Sequence, residues 1–307
     1  MTAKKPLVSI LMPYYKLGDY LKEAADSVRA QTYENWELIV VDDGSPECPA
    51  SEVLASTKDA RIKIFRQNPN QGIAPARNLA ASHSQGELFL PLDADDLLSP
   101  EYIDRTLKAM NESNAVAAYT DVQIFGIGSG IYKPTTDLAK IFGGHYPHNT
   151  LLFKRELFDT VGGYKHLEAV IDTEFWISII ELGKPFAYIP EPLYHYRRHQ
   201  NSFTQKKGLG IGRAFYKALL LHQETMAEHI SEVLELWMQI DINDGMERAA
   251  SCDTNAQYAH LQSEYKTLQE RYESLEKLVK RNESKLDSMS QVARQISYLG
   301  LKRLGMR

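Results

Sequence analysis

The chain has almost no cysteine: Cys48 and Cys252 stand far apart in 307 residues, with no His or Cys neighbour at metal-ligand spacing. That argues against a disulfide framework or a zinc site. It also lacks an apolar run long enough to cross a bilayer. The basic start Met-Thr-Ala-Lys-Lys-Pro runs directly into Leu7-Val8-Ser9-Ile10-Leu11, without the apolar core and cleavage site of a secretion signal. Positive charge is not in excess: 35 Lys and Arg against 40 Asp and Glu leave a net charge of -5, which argues against a nucleic-acid binder. What remains, 43% hydrophobic and 24% charged, is ordinary globular composition. These absences read as a soluble protein of the reducing cytoplasm, with one substantial domain of about 200 to 250 residues and an appendage.

In the first hundred residues, short β-rich runs alternate with helical stretches. Val8–Met12 precedes Tyr20–Ala30, Leu38–Val41 precedes a polar helix, Ile62–Phe65 precedes Pro75–Ser84, and Leu88–Leu92 precedes Tyr102–Met110. This predicts parallel strands with right-handed crossovers, an α/β fold. Polar punctuation follows the strands, at Pro13-Tyr14-Tyr15, Asp42-Asp43-Gly44-Ser45 and Asp93-Ala94-Asp95-Asp96. Ligands bind outside those carboxyl ends in open α/β sheets. From about residue 115 to 200 glycines interrupt short hydrophobic pieces, a half assigned to the acceptor side of a cleft.

The tail has a different grammar. Ala214–Gln239 reads as helix and 241–253 as linker. Then Leu261, Tyr265, Leu268, Tyr272, Leu275, Val279, Asn282, Leu286, Met289, Ala293 and Ile296 alternate by four and three. That is a heptad seam, predicting a coiled coil and a homo-oligomer. One amphipathic helix lying on its own domain is the plainer alternative. The expected division is 1–205 for the catalytic domain, 206–252 for a helical extension and linker, 253–297 for the coiled coil, and 298–307 for a basic amphipathic tail. Tyr298, Leu299 and Leu301 among Lys302, Arg303 and Arg307 suit either peripheral contact with the inner face of a membrane or a frayed helix end.

Asp93 and Asp95, two apart after an apolar run, would point to one side if extended, forming a paired acidic site for Mg2+ or Mn2+ bridging to a diphosphate. For Asp-x-Asp alone, a solvated acidic turn with a helix N-cap at Asp96 or Ser99 is the simpler reading. Asp42 ends a strand on the same sheet edge and can accept hydrogen bonds from a base or ribose. Asn70 to Asn78 joins a glycine turn at Gly72 to a helix start with free N–H groups and the positive fork of Arg77; both nucleotide binding and an ordinary capped helix fit.

Together, Val8-Ser9-Ile10-Leu11-Met12-Pro13-Tyr14-Tyr15, Val40-Val41-Asp42-Asp43-Gly44-Ser45, Asn70…Gly72…Ala76-Arg77-Asn78 and Leu92-Asp93-Ala94-Asp95-Asp96 resemble the family 2 glycosyltransferases. The resemblance covers about residues 6 to 205. It implies the GT-A fold, Rossmann-like with a mainly parallel twisted sheet, a nucleotide-diphospho-sugar donor, with UDP as the family default, and inversion at the anomeric carbon. The acceptor is expected to be a glycan or lipid-linked glycan, as in cell-surface polysaccharide biosynthesis. The similarity places Pro13, Tyr15, Asp42, Gly72, Arg77, Asp93 and Asp95 around the donor, with Asp95 on the metal. Lys16 departs from the family, which commonly has Asn there.

Further on, Gly162-Gly163-Tyr164 and Ile171-Asp172-Thr173-Glu174 resemble the family's segment ending in an acidic pair, which aligns Asp172 with the catalytic base. The residue before it is Ile171 instead of an acid, so Glu174 competes for the role. From the residues alone, Asp172 reads as a helix N-cap, and the resemblance is what makes it the base. Tyr196-Arg197-Arg198-His199 is similar to a family segment whose His reaches the metal or diphosphate, whereas His145, His148 and His195 read as structural. Two other classes compete: a coiled-coil scaffold with a degenerate sugar-nucleotide-binding domain, and a sugar nucleotidyltransferase. The acidic residues argue against the first, and the missing glycine-rich basic loop after Met12 against the second.

Overall fold

A computed structural model describes residues 5–145, 148–167 and 171–200, and beyond them residues 218, 221–229 and isolated positions from 232 to 277. The chain divides into two units, residues 1–134 with 147–208, and residues 135–146 with 209–307.

The first unit is built on one sheet. Strands β1 (Val8–Tyr14), β2 (Trp36–Asp42), β3 (Ile62–Arg66) and β4 (Leu88–Pro91) pair in parallel in the order β3-β2-β1-β4. All residues of β1 and β2 are buried, as their largely apolar runs require when both faces of a parallel sheet are covered. Glu37, inside β2, is satisfied by Ser9 Oγ at 2.7 Å and Lys63 Nζ at 2.8 Å. Helices α1 (Gly18–Arg29), α2 (Ala50–Val53), α3 (Ile73–Ser82) and α4 (Tyr102–Ser113) alternate with the strands as the sequence predicts.

The second half departs from parallel order. The sheet continues β4-β8-β6-β9-β5, with β5 (Leu97–Leu98), β6 (Ala117–Gly126), β8 (Leu152–Lys154) and β9 (Phe186–Arg198), while β7 (Gly130–Tyr132) pairs with β6. β8 is antiparallel to β4 and β6, and β5 to β9, while β6 and β9 run parallel over the longest ladder, so the sheet is mixed with most of its paired length parallel. β9 breaks step with β6 between Thr120 and Val122, the place where Pro190 and Pro192 interrupt its ladder. Two cores result. One packs α1 and α4 on one face; the other packs α3, α6 (Arg155–Val161) and α7 (Ile171–Ile180) on the opposite face.

The second unit contains α5 (Leu138–Phe142), capped by the Asp137 carboxylate on the Lys140 N–H, and α8 (Gln223–Glu228) within the stretch expected to be helical. The heptad seam, the 241–253 linker and the basic end lie outside the described residues. Lys266, Glu270, Glu273 and Lys277, intervening polar positions of that tail, are helical and exposed. Among the described residues, no helix is long and apolar enough to cross a membrane.

Candidate active site

At the carboxyl ends of β1, β2 and β4 the expected residues converge, with a division of labour the sequence did not show. Asp42 is buried, and its carboxylate accepts from Ser45 N at 2.8 Å, Ala50 N at 3.0 Å and Arg66 Nη1 at 3.3 Å. These bonds hold the loop after β2 and satisfy N–H groups that the turn would otherwise strand. Asp43 does the same for the next loop, accepting from Gln71 N and Gly72 N at 2.8 Å each. Gln71 N and Gly72 N, just ahead of α3, are therefore engaged. Gly72 stands at the N-cap of α3 with φ 95°, a conformation glycine adopts without strain, and so shapes the loop. Pro13 is buried at the end of β1, while Tyr15 projects, 41% exposed, with Lys16 Nζ 5.3 Å from its ring centre.

Arg77 is fully buried, with 0% of its side chain exposed, and its fork engages two carboxylates. Its Nη2 donates to Asp93 Oδ1 at 2.6 Å and its Nη1 to Asp172 Oδ1, while its guanidinium lies 5.2 Å from the Tyr164 ring centre. Asn78 fixes that tyrosine by reciprocal hydrogen bonds with its backbone, at 2.8 and 2.9 Å. One buried cation thus ties the acidic turn after β4 to the first turn of α7.

The acidic turn is not extended. Asp96 N donates to Asp93 O at 3.1 Å, and each of the three carboxylates faces a different partner. Asp93 meets Arg77, Asp95 Oδ2 meets His199 Nε2 at 3.0 Å, and buried Asp96 accepts from Tyr194 OH and from Arg197 N at 2.7 Å. Neither Asp96 nor Ser99 caps α4, whose N-cap residue is Glu101. Arg197 Nε also donates to Asp95 O at 2.8 Å. The end of β9 therefore clasps the turn, positioned by the antiparallel pairing of His195 and Tyr194 with β5. Burial and the neighbouring Asp93 charge push the Asp95 carboxyl up, against the pull of His199.

Asp172 lies in the first turn of α7, where its carboxylate engages Arg77 and keeps 31% of its side chain exposed. Burial pushes this carboxyl up to about 6; the Arg77 guanidinium opposes the rise and Asp93 adds to it. Glu174, the competing acid, is buried and bound to Lys165 and Ser178, away from this cluster. His195 bonds Ser99 Oγ at 2.9 Å, consistent with its structural reading. His148 packs on Tyr194 with ring centres 4.2 Å apart, and burial lowers it to about 3, so it is neutral. Sequence reasoning missed Asn149 and Tyr194 as parts of this cluster, because no local motif marks them, and gave Arg197 no role although it lies in the segment that carries His199.

A family model described as glycosyl transferase family 2 matches residues 9–171. The chain belongs to glycosyltransferase family 2. It is 28% identical over 259 residues to the putative glycosyltransferase EpsH of Bacillus subtilis, covering 76% of this chain and 74% of that one. It is 29% identical over 225 residues to the same organism's putative teichuronic acid biosynthesis glycosyltransferase TuaG, covering 67% and 85%. Among solved structures, S. aureus TarS in complex with UDP-GlcNAc aligns with TM-score 0.63 and 15% identity over 98% of this chain and 93% of that one. The mannosyltransferase PcManGT of Pyrobaculum calidifontis, with GDP-Man and Mn2+, aligns with TM-score 0.57 and 16% identity over 95% and 87%. The fold of this transferase is thus GT-A. Asp172 and His199 lie beyond the matched residues, so their place in the site rests on geometry.

A divalent cation is common in the family, and the donor chemistry of this transferase suits one. Asp95 Oδ2 and His199 Nε2 face each other as a carboxylate oxygen and an imidazole nitrogen, and a cation between them would balance a carboxyl that its surroundings push toward neutrality. Among the described residues no group of three or more His, Cys, Asp or Glu forms a cage. Two such residues would hold a cation only in part, which suits one that also meets the phosphates of a nucleotide.

Proposed function

We propose that this transferase moves a sugar from a nucleoside-diphospho-sugar, with UDP as the nucleotide, to a hydroxyl of a cell-surface glycan or its lipid-linked precursor, with inversion. The observation that carries the reading is Arg77, which brings Asp172 and the acidic turn to one place from two cores of the sheet. UDP-GlcNAc in TarS and GDP-Man in PcManGT support a sugar nucleotide as donor, and the name of TuaG supports a polysaccharide acceptor.

In this reading Asp172 takes the proton of the acceptor hydroxyl as its oxygen attacks the anomeric carbon. The bond from that carbon to the phosphate oxygen breaks, and its electron pair leaves with the nucleoside diphosphate. One base suffices for one in-line displacement, and a carboxyl near 6 is ionised yet basic at neutral pH. A cation held by Asp95 and His199 would supply the positive charge that the departing diphosphate needs. Arg77 holds Asp172 and Asp93 in register, and Tyr15 and Pro13 wall the nucleoside side.

Nucleoside diphosphate release from a donor panel with Mn2+ tests the proposal. Asp95→Ala and Asp172→Asn are each expected to lower turnover by about a hundredfold or more. Unchanged turnover in both sinks the mechanism.

A further inference from the structure

Asp172 is held by two donors on one oxygen. Arg77 Nη1 donates to Oδ1, and so does the side-chain amide of Asn149, at 3.1 Å. The Asn149 amide oxygen in turn accepts from Arg77 Nη2 at 2.7 Å. This orientation is dictated by chemistry, since the reverse would set an NH2 against a guanidinium and an oxygen against a carboxylate. Among the described residues Oδ2 of Asp172 has no hydrogen-bond partner, and the side chain is partly open to solvent. Asn149 is itself buried and fixed: its carbonyl accepts from Leu151 N at 3.0 Å, and Tyr102 OH holds the next carbonyl, that of Thr150, at 2.8 Å.

We infer that Asn149 is a positioning residue for the transfer step: by locking Oδ1 of Asp172 against Arg77, it makes Oδ2 the oxygen that receives the acceptor proton. The inference rests on the reading of Asp172 as the base. The groups facing Asp172 are Arg77 from α3, Asp93 from the acidic turn and Tyr164 from the α6–α7 connection. Asn149 is the member of this ring that bridges cation and base. Without its amide the carboxylate keeps only the Arg77 bond on Oδ1 and can tilt about its last bond, so its open oxygen is less firmly aimed. A carboxylate in its stead would crowd a third anion around one guanidinium.

The test uses the full chain and reads Asp172 directly. The 13C signal of its carboxyl carbon, assigned by its loss in Asp172→Asn, is titrated in wild type, Asn149→Asp and Asn149→Ala. Asn149→Asp is expected to raise the midpoint by about one pH unit or more, and Asn149→Ala by a smaller step in the same direction. In Asn149→Ala, turnover with a UDP-sugar donor and a mixed glycan acceptor pool falls about tenfold, with donor KM within about twofold of wild type. A purely structural asparagine would change the melting temperature and leave the midpoint alone, and a midpoint unmoved in both variants overturns the inference. Turnover that survives in Asp172→Asn removes the base reading itself. Turnover lost there, with the midpoint unmoved in the Asn149 variants, removes only the role of Asn149.

Discussion

Lys16 adopts a left-handed backbone conformation, φ 57°, at the corner where β1 gives way to α1, and its N–H reaches Ser45 Oγ at 3.1 Å. A non-glycine side chain there costs about 1 to 2 kcal/mol, and asparagine tolerates it best. The family's usual Asn at this position is thus explained by backbone geometry, and this chain accepts the strain of a lysine whose ammonium lies near the Tyr15 ring. Lys16→Asn is expected to stabilise the protein by about 0.5 to 1 kcal/mol, read from the midpoint of urea unfolding. A midpoint equal to or below that of wild type would show that the lysine contributes more than it strains. At this scale the sequence displayed the acids and hid their assignments. Asp42, Asp93, Asp95 and Asp172 were visible as carboxylates at strand and helix ends, but whether each faces a ligand or a neighbouring N–H depends on contacts as distant as the 95 positions between Arg77 and Asp172.

At the scale of elements, the connection from α6 to α7 decides where Tyr164 and Asp172 stand. Helix α6 ends on Gly162, φ 80°, and Gly163 follows at φ 78°. A β-carbon on Gly163 would lie 2.8 Å from Asn78 Oδ1 and 2.9 Å from Phe158 Cζ, so this glycine is needed both for its conformation and for its size. Gly163→Ala is expected to cost about 2 kcal/mol or more and to loosen the Asn78 clamp on Tyr164, measured by denaturant unfolding alongside turnover. Stability equal to wild type would show that the connection relaxes around the methyl group. The first four strand and helix pairs were legible because apolar runs, turns and helical periods repeat there. β5 and β9 were not. A two-residue strand has no pattern to read, and Pro190 and Pro192 argue against a strand until the break in pairing with β6 accommodates them.

For the whole molecule, the tail is the separable question. Lys266, Glu270, Glu273 and Lys277 are spaced by four, three and four along helix and are exposed, in keeping with the polar side of the proposed coiled coil. Sedimentation of the full chain against a version ending near residue 253 is expected to give an oligomer and a monomer, respectively, and two monomers would end the coiled-coil proposal. The catalytic unit also has a direction in time. Asp95 and His199 are 104 positions apart, and the Arg197 contacts to Asp95 and Asp96 span 102 and 101. At ribosomal speeds of about 5 to 20 residues per second, roughly five to twenty seconds separate synthesis of the acidic turn from synthesis of the strand that clasps it. Through that interval Asp95 and Asp96 await their partners on the nascent chain, while Asp93 already has Arg77, so the site closes only after β9 has been made.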